Sequence, residues 1–110
     1  MGKKSKRLKP FVPLRIDMLD HPSYRGLSSK AKVMYSYFRK NSNGRFDEPI
    51  ALPYSQLLDM FSTDTISRGF KELQDTGFII LVSKGGMYGS PSYYKLIGEF
   101  ANPYHSGRKY

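Results

Sequence analysis

The chain has 110 residues, which suits one small domain, and its nine Tyr and seven Phe supply material for a core. It has no Cys, which excludes disulfides, thiolate metal sites and thiol catalysis and agrees with a reducing, cytoplasmic location. It has no apolar leader and no apolar run of about 18 residues, so neither secretion nor a membrane partner is expected. The formal net charge is +9. Residues 1–10 carry Lys3, Lys4, Lys6, Arg7 and Lys9 and no acid, while residues 11–97 hold eleven bases against eight acids. This balance favours a polyanionic partner, although a basic arm alone also serves solubility.

Residues 1–10 read as a basic arm, disordered until it meets a partner. Its start approaches an N-myristoylation pattern, but Lys6 stands where that pattern needs Ser or Thr. Phe11 to Leu14 reads as an extended piece broken by Pro13, and Ile16 to Asp20 as a single helical turn before His21-Pro22. Ser28 is placed to cap a helix from Ser29 to about Asn41, whose Ala31, Met34, Tyr35 and Phe38 fall on one face. Arg39 and Lys40 lie in its last turn, where cations suit the helix dipole.

A short strand is expected at Ile50 to Leu52. Pro53 then opens a helix from about Tyr54 to Met60, with Leu57 and Leu58 inward. Phe61 reads as an apolar plug before the next helix, Thr63 to Thr76, which Gly77 stops. Phe78 to Ser83 is rich in branched apolar residues and reads as a strand, Lys84 to Ser92 as a glycine-rich loop, and Tyr93 to Ile97 as the returning strand. Residues 98–110 read as a tail, and no internal repeat is visible.

The helix from Thr63 to Thr76 carries the functional argument. Ile66, Gly69, Phe70 and Leu73 recur at helical spacing on one side; Asp64, Ser67, Arg68 and Lys71 recur on the other. The first group can face a core. The second presents a guanidinium able to fork onto guanine and an ammonium able to meet phosphate. Thr63 and Thr65, in the first turn, can reach base edges or phosphate. An ordinary amphipathic surface helix explains the same stripe. A preceding short helix across a tight turn, and a following hairpin with a small, basic tip, favour a DNA-reading element. In the tip, Lys84 brings charge, Gly85 and Gly86 let backbone approach DNA, and Met87 or Tyr88 can lie along a groove. The tip lacks the Gly-Lys-[Ser/Thr] ending and following helix of a phosphate-binding loop.

Four segments, in this order and spacing, resemble the winged helix-turn-helix superfamily. They are Leu27-Ser28-Ser29-Lys30-Ala31-Lys32, Ile50-Ala51-Leu52-Pro53-Tyr54, Thr65-Ile66-Ser67-Arg68, and Glu72-Leu73 through Gly77-Phe78-Ile79. The nearest likeness is to DNA-binding domains of phage, plasmid and other mobile-element replication proteins and to related small regulators. It implies an α+β fold with a three-helix core and a C-terminal β-hairpin wing over residues 11–97, the third helix in the major groove and the wing on backbone or minor groove. Gly69 departs from the pattern, which more often has Ala there, and suggests close packing on a neighbouring helix. Asp64 suits the helix N-terminus better than a phosphate.

No catalytic arrangement is visible. His21 and His105 stand apart, the acids are scattered, and neither an enzyme, a metal nor a cofactor is expected. His21 reads as a turn residue, and Tyr93 and Tyr94 as one exposed ring and one core ring. The resulting expectation is a sequence-specific partner of double-stranded DNA, accessory to or regulating a mobile element's transcription, replication or transfer. A protein-interaction winged helix and an RNA-binding module are the alternatives. A homodimer is compatible, with Phe100, Tyr104 and Tyr110 of the tail either packed between subunits or free.

Overall fold

The computed structural model describes residues 10–43, 45, 47–86 and 91–102. Among them the order is α1 (Ile16–Leu19), α2 (Pro22–Arg25), α3 (Ser29–Ser42), β1 (Ile50–Ala51), a 3₁₀ turn (Tyr54–Gln56), α4 (Thr63–Asp75), β2 (Ile79–Ser83) and β3 (Tyr93–Leu96). The fold is α+β: four α-helices and a three-stranded antiparallel sheet in the order β1-β3-β2.

Local chemistry sets the helix ends. Ser28 Oγ accepts the Ala31 N–H at 3.1 Å and starts α3, as its place before an apolar-periodic run predicts. Asn43, at φ 53°, adopts the left-handed conformation that ends α3. His21 accepts the Ser23 N–H at 3.1 Å and caps α2, so it is a turn residue.

α3 and α4 bury facing stripes. Ala31, Met34, Tyr35 and Phe38 meet Ile66, Phe70 and Leu73 in one core. Gly69 lets the helices close: a side chain there would fall on Met34 Sδ. The Phe38 ring meets Phe70 at a tilt with centroids 5.0 Å apart and Tyr94 edge-to-face at 5.4 Å, and Tyr54 meets Phe70 edge-to-face at 5.5 Å. Tyr94 therefore belongs with the core, while Tyr93 is exposed. Phe61 is half-buried against the same cluster.

Three expectations are corrected. The helix expected from Tyr54 to Met60 is a 3₁₀ turn followed by hydrogen-bonded turns. Tyr54 and Leu57 are its inward anchors, and a spacing of three aligns them in a 3₁₀ turn. Leu58 falls outside that alignment and is 53 % exposed. The hairpin is wider than expected, because β1 pairs with β3 through Ile50↔Tyr94 and Ala51↔Tyr93. Residues 98–102, placed with the tail, join the domain: Phe100 is only 5 % exposed, and Arg39 donates to its carbonyl and, at 2.6 Å, to that of Ala101. Arg15 holds the carbonyls on either side, Glu99 at 2.9 Å and Asn102 at 3.3 Å. Two guanidiniums thus cover four consecutive carbonyls.

Candidate nucleic-acid interface

α4 is fixed at both ends. Ser62 Oγ accepts the Thr65 N–H at 3.2 Å and donates to Thr65 Oγ1 at 3.0 Å. Asp64 sits in the first turn, where an anion suits the dipole. At the other end Phe78 N–H reaches the Leu73 carbonyl at 2.9 Å and Gly77 N–H the Gln74 carbonyl at 3.1 Å. Gly77, at φ 84°, supplies the left-handed residue this termination needs. The chain leaves it directly into β2.

With both ends held, the outward face is well defined. Thr63, Asp64, Ser67, Arg68 and Lys71 are exposed, opposite the buried Ile66, Phe70 and Leu73. Thr65 is half-buried, its hydroxyl engaged by the Ser62 cap. Lys71 pairs with Asp75 one turn on, at 3.0 Å. Both side chains are largely exposed, so the pair is weak and Lys71 can be drawn away. Arg68 makes no ion pair among the described residues.

The residues expected at the hairpin tip are divided. Lys84 and Gly86 are exposed and Gly85 is half-buried, just beyond the end of β2. Gly85 N–H donates to Ser92 Oγ at 2.9 Å, which ties the two sides of the loop together. A bulge between Leu81 and Ser83 precedes this point. Met87 and Tyr88 of the tip lie outside the described residues, as do Lys3, Lys4, Lys6, Arg7 and Lys9 of the arm and Tyr104, His105 and Tyr110 of the tail.

Beside α4 lies a feature the sequence reading missed. Ser28, Lys30, Thr65, Arg68, Gly69 and Glu72 line a cleft of about 200 Å³ between α4 and the first turn of α3. Glu72 joins its two walls, accepting the Ser28 N–H at 2.8 Å and the Ser28 hydroxyl at 2.7 Å. The partners are 44 positions apart, so no local motif announces them. Among the described residues no three His, Asp or Glu side chains gather as metal ligands would, and no helix is long and apolar enough to cross a membrane.

No family model and no curated protein matches this sequence. Two solved structures are similar in fold, one described as "N-Terminal domain of DNA binding protein" and the other as "Structure of Rep-DNA complex". Each superposes with a TM-score of 0.54 at 13% identity, over 82% of this chain and 76% of that one. At that identity the likeness is one of fold.

Proposed function

We infer that this protein binds duplex DNA as a winged helix-turn-helix. In this reading α4 lies in the major groove, Arg68 forks onto a base edge, Lys71 leaves Asp75 for a phosphate, and Lys84 to Gly86 begin a wing that meets the neighbouring backbone. The observation that carries it is the division of α4: a fully buried apolar stripe on one side, and on the other an exposed face with an arginine that has no ion-pair partner among the described residues. The basic composition and the two DNA-related fold neighbours support it. As the finer role we propose an accessory or regulatory factor of a mobile element, acting on transcription, replication or DNA transfer, which the sequence resemblance implies.

Selection of bound duplexes from a random pool tests the reading, because an enriched motif that depends on Arg68 establishes function and site together. Recovery of no motif, with no mobility shift on any duplex, overturns it.

One observation favours a second reading, a protein-interaction domain. Ile80, Leu81 and Val82 are consecutive, apolar and exposed on β2, an outer strand of the sheet. Charged substitution at Val82 that abolishes a partner contact while leaving DNA affinity untouched would assign that surface to protein.

A further inference from the structure

We propose that the cleft between α4 and the first turn of α3 seats a phosphate of the DNA backbone, with Lys30 as its anchor. The proposal rests on the duplex-DNA reading above and adds a contact on a different helix. A helix lying in a major groove about 12 Å wide has a sugar–phosphate rail along each flank. One flank of α4 is formed by Thr65 and Glu72, seven positions apart, and it faces the first turn of α3 across this cleft. Arg68 belongs to the outward face and also lines the cleft. A duplex laid on Arg68 therefore brings one rail to the cleft mouth, where Lys30 stands.

Lys30 suits a phosphate. It is exposed and has no ion pair among the described residues. Its ammonium is a compact charge on a flexible stem, matched to a phosphate oxygen rather than to the fixed donor and acceptor pattern of a base edge. Gly69 contributes no side chain to the cleft floor. The cleft also holds a carboxylate, that of Glu72, whose two oxygens are both taken by Ser28. Those bonds tie the first turn of α3 to α4. Glu72 is thus a positioning residue, setting where Lys30 stands relative to Arg68.

The test is fluorescence anisotropy of the full chain on a selected duplex and on an unrelated one, over a salt series. Three variants are compared with the parent: Lys30→Ala, Arg68→Ala and Lys40→Ala. Lys40 lies in the last turn of α3 and serves as a control for loss of charge alone. Lys30→Ala is expected to weaken both duplexes by the same factor and to flatten the slope of log affinity against log salt by about 0.9, one phosphate's worth. Lys40→Ala is expected to change neither. If Lys30→Ala matches the parent in affinity and slope while Arg68→Ala loses the selected duplex, the anchor is wrong and the DNA reading stands. A loss confined to the selected duplex makes Lys30 a base reader and also overturns the anchor. If the parent binds no duplex, the DNA reading fails and the anchor with it.

Discussion

Glu72 of α4 caps the first turn of α3: its carboxylate takes both the N–H and the hydroxyl proton of Ser28, whose Oγ in turn accepts the Ala31 N–H. The start of one helix is therefore a joint property of two. Glu72→Ala and Ser28→Ala should each lower the free energy of unfolding by about 1–2 kcal/mol, the usual worth of an N-cap or a charge-assisted hydrogen bond. The double variant should lose less than the two single losses combined, since either change breaks the same contact. Urea denaturation of the four proteins measures this, and strictly additive losses would show that the two residues act separately.

On DNA, Arg68→Ala should cost about 1–3 kcal/mol on a selected duplex and relax base preference at one position. Lys71→Ala should weaken all duplexes alike. Asp75→Asn should do the reverse, because it frees the Lys71 ammonium from its exposed ion pair. Affinities measured on matched and unrelated duplexes separate the two kinds of contact. An unchanged selected motif for Arg68→Ala would remove α4 from the role of reader.

The clamp on residues 99–102 has its own signature. Arg39 is buried, its guanidinium bonds the Phe100 and Ala101 carbonyls, and it lies 5.3 Å from the Tyr35 ring. Arg39→Ala should destabilise by about 3 kcal/mol, leaving buried carbonyls unpaired. Arg39→Lys should recover little, because one ammonium cannot fork across two carbonyls. Phe100→Ala should cost about 3–5 kcal/mol as a core deletion. Thermal or urea unfolding tests all three; a full recovery by lysine would show that charge alone, without the fork, holds the segment.

Burial pushes the Tyr35 phenol above its usual 10.0, against the pull of the Arg39 guanidinium beside it. Burial raises Tyr94 as well. A phenol whose ionisation is harder in the folded state favours folding most below the unfolded value, and that contribution is lost as pH rises towards the folded value. Stability should therefore fall above about pH 10. Tyr35→Phe should fall less steeply over that window, a difference readable from denaturation midpoints at pH 9 to 11. Parallel curves for the two proteins would exclude Tyr35 as a cause.

The sequence made the two helices that build the domain legible because each carries a strong apolar stripe between recognisable ends, Ser28 to Asn43 and Ser62 to Gly77. The same stripe identified which face of α4 turns outward, so Asp64, Ser67, Arg68 and Lys71 were found together. What escaped depends on distant partners. Pro53 and two leucines read as a helix, but only Tyr54 and Leu57 found core to pack on, and that pair suits a tighter turn. Phe100 looked like tail because the arginines that hold its turn lie 61 and more positions away. Lys30 was given no role of its own, because its place beside Arg68 depends on how α3 and α4 meet around the cleft.

Gly69 and Met34 share one parcel of volume. Met34 is fully buried, and its thioether fills the space a side chain at 69 would claim. The two positions should therefore vary as a pair: a lineage that acquires the better helix former Ala at 69 gains helix propensity, but keeps the spacing of α3 and α4 only with a smaller or differently shaped residue at 34. That spacing sets how far the outward face of α4 stands from the rest of the domain. A packing choice deep in the core thereby becomes a constraint on how relatives of this protein diverge at their surface.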